Sequence, residues 1–158
     1  VSGHLGGAAI DVFPEEPRAN GDPFSSPLAT LDNVILTPHI GGSTEEAQYD
    51  IGRFVAAKIG EYQASGSTDM SVTLPNLTMN VGKRSRYRIR LIHRNVPGVM
   101  ARVNQIFAAS EANVDAQILA TVDEVGYVLT DISAGLGREA LEELTHLPET
   151  VRLIATPL

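Results

Sequence analysis

Apolar residues along this 158-residue chain recur in distinct rhythms, and each rhythm predicts an element. Residues 7–12 and 33–37 are short apolar strands separated by a loop rich in turn formers, with Pro14, Pro17, Gly21, Pro23 and Pro27. The first, Gly-Ala-Ala-Ile-Asp-Val, lacks polar alternation and reads as the interior of a parallel sheet. Ser43-Thr-Glu-Glu46 is a capping box that announces a helix. Ala47, Ile51, Phe54, Val55, Ile59 and Tyr62 then recur at spacings of three and four, which places them on one helical face. Gly66 ends that helix. Residues 65–86, with Pro75 and Gly82, read as a linker with room for a short strand around Met70 to Leu74.

The rest of the chain repeats a tighter pattern. Tyr87, Ile89 and Leu91 alternate with Arg88, Arg90 and Ile92 in a strand, and Pro97-Gly98 opens a helix with the face Val99, Val103, Ile106 and Phe107. Val114 to Ala120 is a second strand, and the turn Asp123-Glu-Val-Gly126 leads to a third, Tyr127 to Ser133. A helix with Leu141, Leu144 and Leu147 precedes a last strand, Val151 to Ala155. The order is βαββαβ, an α+β ferredoxin-like sandwich. The earlier strands belong to an α/β, Rossmann-type sheet whose other strands the pattern does not supply. A chain opening on Val1 and entering such a strand by residue 7 is expected to begin inside a domain.

Composition narrows the function classes. An apolar fraction of 43% with 20% charged residues is that of a folded globular protein. Cysteine is absent, which excludes disulfides, thiolate catalysis and cysteine metal sites, and no metal centre is expected. No apolar run is long enough to span a membrane, and no signal peptide is visible. The net charge of −7 lies in residues 1–70, whereas residues 71–158 are neutral, which argues against nucleic acid as a partner. Lys83, Arg84, Arg86, Arg88 and Arg90 are expected on a solvated linker and strand face.

Candidate chemistry gathers around Thr37-Pro-His39-Ile-Gly41-Gly42. Pro38 holds Thr37 extended and ends the strand, which leaves His39 at the edge where parallel sheets bind ligands. Glu16 follows the preceding strand and emerges at the same edge, where a carboxylate would orient the imidazole. A structural histidine and a solvated loop acid are the plainer alternatives. Two glycines behind His39 let a flat ligand approach the backbone.

The stretch from Asn33 to Glu46, with Gly7-Ala-Ala-Ile-Asp11-Val-Phe-Pro-Glu-Glu16-Pro17 upstream, resembles the catalytic half of the D-2-hydroxyacid dehydrogenase family. The resemblance implies an acid–base pair of His39 and Glu16 and NAD as cofactor. It also implies that Asp11 contacts the nicotinamide carboxamide and that Gly41 and Gly42 lie against the nicotinamide. The chain lacks a G-x-G-x-x-G after a strand, and the family's substrate-anchoring arginine has no counterpart here, so the 158 residues alone are expected to be inactive.

A second motif, Ile92-His93-Arg94-Asn95-Val96-Pro97-Gly98, joins the first strand of the sandwich to its first helix, whose free N–H groups favour a carboxylate. Asn95 as a helix cap and Asn113 as a turn residue are the plainer alternatives. From about Tyr87 the chain resembles a ligand-sensing ACT domain, which implies an effector site at His93, Asn95, Pro97, Gly98 and Asn113. Combined with the dehydrogenase motifs, it implies 3-phosphoglycerate as the hydroxyacid, L-serine as feedback effector and a cytoplasmic homo-oligomer, a tetramer, formed by ACT–ACT sheet pairing. The implied division is 1–42, the end of an NAD-binding domain; 43–84, a returning helix and linker of the substrate-binding domain; and 85–158, the ACT domain. A stand-alone amino-acid-binding module and a dehydrogenase for another hydroxyacid are the alternatives. An RNA-binding domain, which shares the βαββαβ order, is rejected because its third strand would carry one aromatic, Tyr127, on an acidic chain.

Overall fold

A computed structural model describes residues 2–19 and 21–158. Two compact units divide the chain, one through Phe54 and one from Val55 to Leu158. In the first, β1 (Ala8–Ile10) and β2 (Val34–Leu36) pair in parallel, Ala8 opposite Val34 and Ile10 opposite Leu36. Ala8, Ile10, Val34 and Leu36 are half-buried while Ala9 and Ile35 are exposed, so only one face of this pair is covered. A short 3₁₀ turn, Pro27–Thr30, precedes β2, with Ser26 Oγ accepting from Leu28 N at 3.2 Å. Helix α1 (Glu45–Ser65) follows. Its cap falls one residue later than the sequence pattern places it, because Thr44 Oγ1 accepts from Ala47 N. Ile51, Phe54, Val55 and Ile59 on its apolar face are about half exposed.

The second unit contains β3 (Tyr87–Arg94), α2 (Val99–Ala109), β4 (Val114–Val122), β5 (Val125–Ile132), α3 (Arg138–His146) and β6 (Thr150–Pro157). The strands form one antiparallel sheet in the order β4-β5-β3-β6. Ile89, Leu91, Val128 and Ile132 project from one face onto Val99, Val103, Ile106 and Phe107 of α2 and Ala140 and Leu144 of α3. This is the main core, assembled from the period-two and period-3.6 patterns of the sequence.

The other sheet face departs from expectation. Arg88 and Arg90 are buried rather than solvated, and the stretch after α1 is packed rather than free. Arg88 forms a forked ion pair with the buried Asp131, Nε to Oδ1 at 2.6 Å and Nη2 to Oδ2 at 2.8 Å. Its Nη1 donates to Ser65 O at 2.6 Å and Met79 O at 3.0 Å. Arg90 Nη1 donates to Tyr62 O at 2.6 Å with its guanidinium 5.5 Å from the Tyr62 ring centroid. The last turn of an α-helix carries partial negative charge and leaves carbonyls unpaired, which favours Arg88 on Ser65 O, while Tyr62 O, already accepting from Gly66 N at 2.9 Å, takes Arg90 as a second donor.

Leu77, Tyr127 and Leu129 form a second small core with Tyr62 and Met79. Thr68 secures the loop, donating to Pro75 O at 2.6 Å and accepting from Leu77 N at 3.0 Å. Met70 to Leu74 is turn, not strand, with Met70 at φ 64°. Gly66 has φ 75°, and a Cβ there would stand 2.6 Å from Arg90 Cδ. Helix geometry and close packing therefore both require glycine.

Removing Arg88 strands a buried carboxylate, whereas removing both partners does not. Arg88→Met should cost about 3–5 kcal/mol in urea unfolding, and Arg88→Met with Asp131→Leu should recover most of it. An Arg88→Met cost under about 1 kcal/mol would show that the pair is not closed as described.

Candidate functional site

The parallel pairing of β1 with β2 brings the segments that follow them to one edge. Thr37 N donates to Ile10 O at 3.0 Å, and Thr37 Oγ1 donates to Asp11 Oδ1 at 2.6 Å. The loop after β1 then turns so that Phe13 N donates to Glu16 Oε1 at 3.0 Å. Pro38 follows Thr37 and sends the chain away from the strand, which sets His39 Nδ1 3.0 and 3.1 Å from the two Glu16 oxygens. The structure thus brings His39 and Glu16 together, with Asp11 held separately by Thr37.

Tautomer follows from the partner. An ionised carboxylate only accepts, so Nδ1 carries the ring proton and Nε2 holds the lone pair of the neutral imidazole. Both side chains are partly open to solvent. The Phe13 amide, and then His39, hold the Glu16 carboxyl below its ordinary range. A cleft of about 800 Å³ opens beside the pair, lined by Phe13, Phe24, Leu36, Thr37, Pro38 and His39 among others. Phe13 and Phe24 meet edge to face at 4.8 Å between ring centroids and give it an apolar wall.

Gly41 and Gly42 are exposed. A Cβ on Gly41 would meet nothing within 4 Å, and one on Gly42 only Ile51 Cδ1 at 4.0 Å. Neither has a positive φ. The protein's own packing therefore does not demand glycine at either position. Gln48, from the first turns of α1, donates to Gly42 O and holds that backbone in place. Thr37, Gln48 and the Phe13 amide escaped the sequence reading. Only Thr37, adjoining Pro38-His39, carried a local signal.

The second motif is arranged differently from expectation. His93 is buried against Gly126, with Nδ1 2.8 Å from Arg94 O and Nε2 without a partner. Asn95 does not cap α2. Its backbone N donates to Glu124 O and its side chain to Asp123 O, which fastens it to the β4–β5 turn. Gly98, at φ 89°, is the N-cap and gives no side-chain bond to the helix. Asn113 is exposed and donates to Asp115 Oδ1 at 2.8 Å. Asn95 and Asn113 thus hold separate local contacts. Among the described residues, no helix is long and apolar enough to cross a membrane.

The lowered Glu16 pKa makes a signed prediction. A depressed carboxyl contributes stability above its ordinary value near 4.5 and loses it as pH falls through the lower folded value. The Phe13 amide resonance should therefore titrate together with the Glu16 carboxyl below pH 4.5. A Phe13 amide unmoved through that range would disprove the bond.

Comparison with known proteins bears on both regions. A family model described as the NAD binding domain of D-isomer specific 2-hydroxyacid dehydrogenase matches residues 1–41, and an AHAS small subunit-like ACT domain matches residues 89–152. D-3-phosphoglycerate dehydrogenase of Escherichia coli strain K12 is 49% identical over 155 residues, covering 96% of this chain and 37% of that protein. The Dictyostelium discoideum protein of the same name is 44% identical over 151 residues, covering 96% of this chain and 36% of its own. The chain thus spans little more than a third of the length of these relatives. Likeness to a solved structure, the C-terminal domain of the MgtC protein from Mycobacterium tuberculosis, is weak: 15% identity over 50% of this chain and 94% of that one, at a TM-score of 0.39. The chain is homologous over nearly its whole length to part of the D-3-phosphoglycerate dehydrogenases, and it joins a region matching the D-2-hydroxyacid dehydrogenase NAD-binding domain to one matching an ACT domain.

Proposed function

We propose that this chain is the C-terminal part of an NAD-dependent 3-phosphoglycerate dehydrogenase of serine biosynthesis. Residues 1–42 close a Rossmann-type NAD-binding domain, 43–84 are the returning helix and linker of the substrate-binding domain, whose later part, 62–79, packs on the ACT sheet, and 85–158 form a ferredoxin-like ACT domain. The observation that carries the reading is the His39–Glu16 pair at the shared end of β1 and β2. It sits in a chain half identical to enzymes of that name.

His39 acts through Nε2, which takes the proton of the substrate hydroxyl as that carbon is oxidised. Glu16 holds Nδ1–H, fixes the tautomer and stabilises the ring once it is protonated. Thr37 occupies one Asp11 oxygen and leaves the other to accept from a carboxamide N–H. The space over Gly41 and Gly42, which no packing of the protein itself explains, suits a flat ring. NAD, when bound, supplies the hydride acceptor.

In the ACT domain the effector is L-serine. The α2 N-terminus, with no side-chain cap, receives its carboxylate beside His93 and Asn95, and Asn113, which lies at the opposite end of the sheet within one domain, reaches it from the paired domain. Two such domains pair by their sheets, and the oxidoreductase is a cytoplasmic tetramer. A self-contained unit from Val55 onward favours the alternative of an amino-acid-binding module without catalysis.

A chimera separates the two. This segment, joined to the remaining part of the Escherichia coli relative, should oxidise 3-phosphoglycerate with NAD and be inhibited by L-serine. His39→Asn should lower kcat by about 10²–10⁴-fold, and Asn113→Ala should abolish inhibition while leaving kcat unchanged. An active chimera whose kcat survives His39→Asn would refute the catalytic assignment.

A further inference from the structure

Strand β3 performs two tasks at its two ends. Near its start, Arg88 and Arg90 hold the last carbonyls of α1, at Ser65 and Tyr62. At its finish it delivers His93 and the loop Arg94–Gly98 to the N-terminus of α2. That loop is fastened by Arg94 N to Glu149 O and by Asn95 N to Glu124 O, both at 2.8 Å. One short strand therefore runs from the proposed effector loop to the end of the helix.

Pairing along β3 is uneven. Its register with β5 is unbroken from Tyr87 opposite Ile132 to Arg94 opposite Val125. Its register with β6 shifts between Ile92 and His93. A bulge bends a strand and disrupts its ladder locally, so the β3–β6 pairing is weakest at that point.

Unsatisfied groups mark the same two ends. Five buried side-chain polar atoms lack a partner among the described residues: Ser85 Oγ and Arg90 Nε toward the start of β3, and His93 Nε2, Arg102 Nε and Glu149 Oε2 toward its finish. Native interiors leave few such atoms, and each is costly where it stands. Arg90 Nε and His93 Nε2 lie three residues apart on one strand, so a small displacement of β3 changes the surroundings of both.

We propose that β3 is a coupling element, linking occupancy of the Arg94–Gly98 loop to the seating of the C-terminal end of α1. The ligand half of this statement rests on the amino-acid-effector reading above, whereas the mechanical half does not. Coupling of this kind is reciprocal, so loosening either end must loosen the other. The ligand shifts the strand only as far as it prefers one seating over the other. Arg88 and Arg90 are positioning residues, acting on α1 through its carbonyls.

Hydrogen–deuterium exchange of the 158-residue chain tests both halves. Rates are read relative to Val128 and Leu129 in the centre of β5, so that general destabilisation cancels. Arg90→Met removes the bond to Tyr62 O and leaves the Arg88–Asp131 pair in place. It should accelerate exchange at residues 62–79 and, by roughly 5-fold or more, at residues 93–98 as well. Arg88→Met with Asp131→Leu releases Ser65 and Met79 without stranding a charge and should act the same way. Acceleration confined to 62–79 in both variants overturns the proposal. Added L-serine should protect both segments in the parent chain, and protection confined to 93–98 likewise overturns it. No protection by L-serine, with the variants still loosening both segments, removes serine as the ligand and upholds the coupling.

Discussion

The buried pair of Arg88 and Asp131 is the interaction on which the second unit depends. Two charges removed from water are tolerated only when their donors and acceptors are met, and here four hydrogen bonds from one guanidinium meet them. Two go to the carboxylate, one to the last residue of α1 and one to the loop beyond it. An apolar pair at these positions would pack the sheet but would leave the Ser65 carbonyl without that donor. Arg88 also has a geometry lysine lacks, because its planar fork serves a carboxylate on one side and carbonyls on the other.

From this anchor the rest of that sheet face follows. Tyr127 donates to Gly66 O at 2.8 Å, and burial pushes its phenol pKa up, which keeps it a donor. Gly66, in a left-handed conformation that side chains avoid, turns the chain under the sheet, where Thr68 holds Leu77 and Leu77 packs with Tyr127 and Leu129. The first unit depends on a simpler constraint. Parallel register places the ends of β1 and β2 together, and Thr37 ties them twice, through its backbone and its hydroxyl. Glu16 and His39 then meet because the loop after β1 folds back onto the edge that β2 also reaches.

Much of this was legible in the sequence, for identifiable reasons. The βαββαβ order was carried by clean alternation at Tyr87–Leu91 and by 3.6-residue periodicity in α2 and α3, where local preference and burial agree. The proximity of His39 and Glu16 could be read because both follow strands expected to share an edge. Burial of Arg88 and Arg90 could not be read locally. Alternating arginines in a strand look like a solvated face, and only Asp131, 43 residues away near the end of an apolar strand, hints at a buried partner. For the same reason the stretch after α1 read as linker: Ser, Thr, Gly and Pro signal a loop, but not that the loop covers a core. His93 read as part of the loop after the first strand; it lies instead within β3, and its burial against Gly126 depends on a cross-strand glycine that no periodicity reveals.

The end of α1 and the loop after it are a fixed layer of the ACT-bearing unit, held by Arg88, Arg90 and the Leu77–Tyr127–Leu129 cluster. Residual dipolar couplings of backbone amides in partially aligned samples test it directly. Couplings from residues 62–79 and from the strands β3 to β6 should fit a single alignment tensor with comparable order. A separate tensor for 62–79, or couplings there averaged toward zero, would contradict the account.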